Sequence, residues 1–255
     1  MYNRPRIIPV LLIDDRDLIK TKQFGSPTYL GDPVNAVKIF NRKGIDEMAN
    51  LSVAAKKGGQ TLDWKRHENR ESEAFMRLSY GGGITTVEHV MRLLATGDEK
   101  VVINTSFVRK PELVTEAVNL AGGQGVVVSI DAKKVDGRYK CVISDGQEVI
   151  DSTPVELAQK AEAMGAGEIF LNSVDRDGMM QGYDLDLVKS VADAVNIPVT
   201  ACGGAAGIND LERVLHEGKA HAAAAGSMFV FYGRLKAVLI TAPTEEELRN
   251  LRIYN

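Results

Sequence analysis

Val199-Thr-Ala-Cys-Gly-Gly-Ala-Ala-Gly-Ile-Asn-Asp-Leu-Glu-Arg-Val-Leu-His216, continued by Ala222-Ala-Ala-Ala-Gly-Ser227, decides how this chain folds. A short apolar run over 199–201 meets two glycines. Asn209-Asp210 can cap a helix on which Leu211, Val214 and Leu215 share one face. A second apolar run, 222–225, follows and ends in a turn of small residues. Strand, glycine turn, helix and strand make a βα unit of a parallel sheet. The same unit stands 122 residues earlier, where Gly81-Gly-Gly-Ile84 leads through a helix and a strand to Asn104-Thr-Ser-Phe107. It aligns without a gap on the stretch from Gly203-Gly-Ala-Ala206 to Gly226-Ser-Met-Phe229. That offset points to two related halves, about 1–122 and 123–255.

Outward from these two units the alternation continues. Strand candidates lie at 7–13, 47–53, 77–80, 101–104, 126–131, 169–172, 199–201 and 222–225. The helices between them have readable starts. Asp32-Pro33 and Thr153-Pro154 each place a capping side chain before a proline in the first turn, and Lys110-Pro111-Glu112 is similar. Eight βα units within 255 residues predict one domain over 1–255, a (β/α)8 TIM barrel. Two stretches depart from the repeat. Lys20-Thr-Lys-Gln-Phe-Gly-Ser-Pro-Thr-Tyr-Leu30 reads as a mobile loop over the barrel mouth. Arg138 to Ile143 and Glu148 to Ile150 flank Asp145-Gly146, which predicts a β-hairpin inserted after strand five.

Composition narrows the function classes. The chain is 44% hydrophobic and 25% charged with a net charge of −3, so nothing global suggests a nucleic acid or membrane partner. The N-terminus lacks a signal-peptide layout, and no apolar run approaches the roughly 20 residues of a membrane span. Cys141 and Cys202 are far apart and without metal spacing, which suggests a reduced, cytoplasmic setting. His67, His89, His216 and His221 form no i,i+4 pair and no recognisable ligand set, so no metal or organic cofactor is expected. Trp64 reads as a helix-packing residue, and Cys202, with no identifiable base, is not a nucleophile candidate.

The chemistry suggested by the motifs is anion binding. Glycine lets backbone N–H groups approach an anion, and a helix start behind the turn adds a favourable dipole. Gly203 and Gly204 with Gly226 and Ser227 fit the phosphate position of barrels, the loops after strands seven and eight. Gly82 and Gly83 with Asn104 and Thr105 would form a second site across the mouth. Two such sites fit a phosphorylated small molecule, in particular a long one with a phosphate at each end.

Several motifs, taken together, are familiar. Arg6-Ile-Ile-Pro, Lys20, Gly31-Asp32-Pro33, Gly81-Gly-Gly-Ile84, Val102-Ile-Asn-Thr105, Ser129-Ile-Asp131, Asp175-Arg-Asp-Gly178, Gly182-Tyr-Asp184 and Gly203-Gly-Ala205 follow in order. The chain resembles HisF, the cyclase subunit of imidazole glycerol phosphate synthase, over essentially its whole length. The resemblance implies a (β/α)8 barrel paired with a HisH-like glutaminase, whose ammonia passes through the barrel. It implies a general acid–base pair of aspartates on strands one and five. Asp131 matches the strand-five aspartate, but Leu12 occupies the strand-one position, and leucine transfers no proton. Ser52 stands where the family's strand two has an acid. Asp177 matches a ligand-side aspartate, and Lys20 matches a loop lysine that reaches over the substrate. Asn104 and Ser173 are further candidates for facing the site. Arg6, Glu47, Lys100 and Glu168, each at a strand start, match the family's charged gate at the ammonia entrance.

Val10-Leu-Leu-Ile13, Leu18-Ile-Lys-Thr-Lys-Gln-Phe24 and Gly226-Ser-Met-Phe-Val-Phe-Tyr232 are most similar to the HisF-like WbuZ branch, which is linked to surface polysaccharide biosynthesis. That branch implies ammonia delivery to an ATP-using amidotransferase that turns a sugar acetamido group into an acetamidino group. Two alternatives stand beside it: a histidine-pathway cyclase with a modified acid–base pair, and a non-catalytic barrel that binds a phosphorylated ligand and activates its glutaminase.

Overall fold

Arg6 to Pro9 of the first strand run parallel to Ala222 to Ala225 of the last, and that pairing closes the sheet into a ring. The computed structural model describes residues 5–53 and 62–251. In chain order, β1 (Arg6–Asp14), β2 (Asp17–Lys20) and β3 (Thr28–Gly31) precede α1 (Pro33–Arg42), β4 (Glu47–Ser52) and α2 (Trp64–Glu71). Next come β5 (Arg77–Gly81), α3 (Val87–Thr96), β6 (Lys100–Ile103), α4 (Thr105–Arg109) and α5 (Glu112–Ala121). The middle of the chain gives β7 (Val126–Val135), β8 (Arg138–Ile143), β9 (Glu148–Ile150), α6 (Pro154–Ala163), β10 (Glu168–Ser173) and α7 (Leu185–Ala192). The last quarter holds β11 (Val199–Cys202), α8 (Ile208–His216), β12 (Ala222–Ala225), α9 (Ser227–Val230), β13 (Phe231–Tyr232), β14 (Ala237–Val238) and α10 (Glu245–Arg249).

The ring runs β1, β4, β5, β6, β7, β10, β11, β12 and back to β1, with every neighbouring pair parallel. It is a (β/α)8 TIM barrel. Strand alternation sorts its side chains. Ile8, Val10, Ala49, Val102, Val127, Phe170, Cys202, Ala222 and Ala224 cluster inside the barrel, with Leu51 packed against them. Their sequence neighbours, such as Ile7, Leu11, Met48, Val101, Val128 and Leu171, turn outward and pack with the helices. Phe40 of α1 meets Phe229 of α9 edge-on at 6.1 Å. Both rings are fully buried, a burial of about 1.5–3 kcal/mol each, and the contact fixes α9 beside the barrel rim.

The helix starts behave as the sequence suggested. Asp32 accepts from Val34 and Asn35, and Thr153 forms a reciprocal capping box with Glu156. One start differs. α8 begins at Ile208 with Gly207 as its cap, so Asn209 and Asp210 lie inside the first turn. Asp210 instead accepts from the Ala206 N–H at 2.8 Å, fixing the loop before the helix.

β2 and β3 flank the bend at 21–27 of the stretch read as a loop over the mouth, and they pair antiparallel with each other, while β2 also pairs with β1. The bend is tied across the mouth, with Gln23 N–H donating to the Asp177 carbonyl at 2.9 Å and the Gln23 amide to the Asp175 carbonyl at 2.9 Å. The hairpin after strand five is present and larger than predicted. β7 runs on beyond the barrel to Val135, turns at Asp136-Gly137 and pairs with β8, which pairs in turn with β9.

Candidate functional site

At the N-terminal ends of the strands, four charged side chains meet. Arg6, Glu47, Lys100 and Glu168 each sit at the first residue of their strands, which brings them to one level. Arg6 donates to Glu47 from two nitrogens at 2.8 and 3.0 Å and to Glu168 at 3.1 Å. Lys100 donates to Glu168 at 2.7 Å and lies 3.7 Å from Glu47. The Thr200 hydroxyl also donates to Glu168. Burial opposes charge on Glu47, but the hydrogen bond from Arg6 and the charges of Arg6, Lys100 and Arg77 hold its carboxyl below the ordinary value. The arrangement is a closed ring of alternating charge across the floor of the barrel.

Above the ring the barrel interior is packed largely by the apolar cluster. Such a medium is more permissive to a small neutral molecule than to an ion. A pocket lies at the C-terminal ends of the strands. Its walls include Val10, Leu12, Leu51, Lys20, Asn172, Asp177 and Cys202, with Gly203, Gly204, Gly226 and Ser227 on one side. Leu12 shares the inward parity of Ile8 and Val10, so an apolar side chain fills the strand-one position.

Asp131 is held from two sides. Asn104 donates to one of its oxygens at 3.1 Å and to the Ser129 carbonyl at 3.0 Å. The Asn172 amide approaches the other oxygen at 3.4 Å. Asn104, expected at a phosphate site, therefore has its amide engaged in orienting Asp131. Asn172 was missed from the sequence, although its spacing from Glu168 and Phe170 gives it the inward parity. Ser173, expected to face the site, belongs to the opposite parity and is buried. Ser52 likewise turns out of the barrel, since Glu47, Ala49 and Leu51 take the inward positions. It is hydrogen-bonded to Tyr80, on the helix side of the sheet. Of the pair Leu12 and Ser52, Leu12 is the one with inward parity.

Lys20 lines the pocket from a strand end, not from a loop. It ends β2, is buried, and donates to the Val10 carbonyl at 3.0 Å. Burial lowers its pKa, with Asp177 and Cys202 acting in the opposite sense. Gly226 makes this possible, because a Cβ there would occupy the place of the Lys20 ammonium. Asp177 accepts from the Thr21 hydroxyl at 3.2 Å, and burial raises its carboxyl pKa against the pull of Lys20. Burial pushes the Cys202 thiol up to about 12, so it offers no thiolate.

The glycine turns of the two halves coincide at one matched position, Gly82 and Gly204, with φ of 108° and 110°; beside them Gly83 (70°) is positive in one half and Gly203 (95°) in the other. A side chain at Gly82 would strike the Ser52 carbonyl, and one at Gly204 the Gly182 carbonyl. Thr105 and Ser227 each open a short helix behind these turns. The Thr105 hydroxyl accepts from the Ser144 N–H of the hairpin at 3.2 Å. In the Gly182-Tyr183-Asp184 motif, Tyr183 donates to the Ala224 carbonyl at 2.9 Å and Asp184 caps α7. These two residues brace the wall rather than face a ligand.

Comparison with known proteins agrees with this geometry. Residues 6–236 match the family model described as histidine biosynthesis protein. A relative from Pseudomonas aeruginosa, provisionally named imidazole glycerol phosphate synthase subunit hisF2, is 43% identical over 96% of this chain and 98% of its own length. A Leptospira interrogans relative, provisionally named subunit HisF of the same synthase, is 40% identical over 96% of this chain and 97% of its own. A third, from Vibrio vulnificus and provisionally named subunit hisF3, is 41% identical over 96% and 95%. With its closed barrel, its ring of charge and its paired glycine turns, the chain belongs to the histidine biosynthesis protein family, among the relatives named HisF.

Proposed function

We propose that this chain is a HisF-like synthase subunit that accepts glutamine-derived ammonia from a HisH-like glutaminase and serves amidation of a surface-polysaccharide sugar. One combination carries the reading: the four-residue ring on the barrel floor persists beneath a mouth in which Leu12 has replaced a carboxylate. A barrel that conducts ammonia needs the first feature. A barrel that closes an imidazole ring needs a proton-transfer pair at the second, and removal of one member commonly costs about 10²–10⁴-fold in rate. In this reading Arg6, Glu47, Lys100 and Glu168 gate the entrance, and neutral NH3 passes through the apolar interior as its side chains move aside. The glycine turns at Gly82, Gly83 and Thr105 and at Gly203, Gly204, Gly226 and Ser227 hold the phosphate groups of a ligand. Lys20, Asp131 and Asp177 supply the polar contacts of the mouth. ATP belongs to the sugar amidotransferase partner.

The test uses glutamine labelled with ¹⁵N at the amide, the glutaminase, this chain and the sugar-modifying enzyme. Label entering an acetamidino group only when the barrel is present supports the reading. A second reading, histidine-pathway cyclase, is favoured by Asp131 remaining clamped by Asn104 and Asn172. Rapid turnover of the cyclase's bisphosphate substrate with free ammonia would establish it and displace the first.

A further inference from the structure

The outer layer of the barrel holds a polar cluster that neither the ring nor the mouth uses. His67 and Glu71 stand four residues apart on one face of α2, and Asp98 comes from the turn between α3 and β6. His67 Nε2 lies 2.6 Å from Asp98 Oδ2 and 3.9 Å from Glu71 Oε1. One donor atom from each residue lies within 4.8 Å of the others. All three side chains are deeply buried, at 1% exposure for His67, 7% for Glu71 and 0% for Asp98.

A second observation sets this cluster apart from ordinary charge pairing. Among the described residues, four of the seven buried side-chain atoms without a hydrogen-bond partner belong to this cluster and its neighbour: Glu71 Oε1, Asp98 Oδ1, His67 Nδ1 and Arg70 Nε. The others are both amide atoms of Asn50, on β4, and Asn172 Oδ1 in the mouth. Glu71 Oε1 is both orphaned and the atom that faces the imidazole. Buried polar atoms without partners are costly, roughly 1–3 kcal/mol each, so such a concentration in a native core calls for a ligand.

We propose that His67, Glu71 and Asp98 form a structural site for a divalent transition-metal ion of the zinc class. One imidazole and two carboxylates suit such an ion, and two ligands at i and i+4 on one helix face are a familiar donor spacing. The ion would clasp α2 to the turn before β6. Arg70 packs beside the cluster and is drawn to Glu71 and Asp98. It offsets one carboxylate, leaving one net negative charge and a neutral donor for the cation. The Tyr80 ring packs edge-on to His67 at 4.7 Å and holds the imidazole plane.

The test strips the purified full-length chain with a chelator and titrates it with zinc chloride by calorimetry, with the thermal midpoint as a second readout. One zinc per chain and a raised midpoint are expected. Glu71→Gln, close to isosteric, should weaken binding at least tenfold and abolish the rise. Cobalt(II) added to the unmutated chain should give visible d–d bands that zinc displaces, which keeps the test open should the variant not fold. No zinc uptake, equal affinity in Glu71→Gln, or a featureless cobalt spectrum overturns the proposal. The cluster is then a histidine hydrogen-bonded to a carboxyl pair and nothing more.

Discussion

Leu12→Asp tests the central reading most directly. The side chain at position 12 has inward parity and lines the mouth with Lys20 and Asp177. The partner carboxylate, Asp131, is already oriented by Asn104 and Asn172. The variant therefore restores the missing group without rebuilding anything around it. Leucine to aspartate removes a half-buried apolar side chain, worth about 1–2 kcal/mol here. It also desolvates a carboxylate, which costs roughly 1–3 kcal/mol once local hydrogen bonding is allowed for. The sum, about 2–5 kcal/mol, reaches only the lower edge of the roughly 5–15 kcal/mol stability typical of a domain, so the variant should fold with a lowered unfolding midpoint. If proton transfer is what Leu12 removed, ammonia-dependent turnover of the cyclase's bisphosphate substrate should rise by about 10²–10⁴-fold, equivalent to about 3–5.5 kcal/mol of barrier. Leu12→Asn should give no rise, and Asp131→Asn in the Leu12→Asp background should erase it. A folded, ligand-binding Leu12→Asp chain that turns over no faster than the parent would refute the argument that this position limits the chemistry.

Further outcomes follow from the ring and the mouth. Glu168→Ala leaves Arg6 and Lys100 sharing Glu47 and strips the Thr200 hydroxyl of its acceptor. Chemical denaturation should show a loss of about 3–5 kcal/mol, as for other buried pairs deprived of one member. Glu47 has a folded pKa below its ordinary value of 4.5, so its contribution is full above pH 4.5 and is lost as pH falls through the folded value. Acid titration of the parent against Glu47→Gln should show the parent losing stability more steeply below pH 4.5, and parallel curves would count against the pairing. Gly226→Ala places a methyl group where the Lys20 ammonium lies, at a backbone φ of −107° that any residue accepts. Lys20 should swing out, lose its bond to Val10 and become reactive to amine acylation detected by mass spectrometry. Unchanged protection of Lys20 would contradict the packing described.

The barrel was legible from the sequence because its signal is local and repeated: apolar runs recur eight times, punctuated by two glycine turns and three proline-marked helix starts. The ring was legible because a strand's first residue has only one level at which to sit. What failed was parity near strand ends. Ser52 and Ser173 are one residue out of phase with the interior, and a one-residue step reverses the face. Asn172 has the correct phase and was passed over for its neighbour. The strand setting of Lys20 was not legible because glycine and proline in 25–31 suggested a loop, whereas pairing of β2 with β1 is a tertiary contact that no short window contains. The cluster around His67 escaped for a similar reason. Its third member, Asp98, lies 27 residues beyond Glu71, and only the packing of neighbouring βα units brings them together.

β7 has a further consequence through its length. The strand begins in the barrel wall, carries Asp131 at the rim, and continues without interruption into the arm that pairs with β8. Asp131 thus lies in the middle of one strand, and the arm beyond it is fastened back to the segment after β10, where the Lys134 N–H donates to Asp175 at 2.7 Å and the Tyr139 hydroxyl to Asp184 at 2.8 Å. The rim carboxylate is therefore anchored on both sides along its own chain, in the barrel wall before it and at this tie after it.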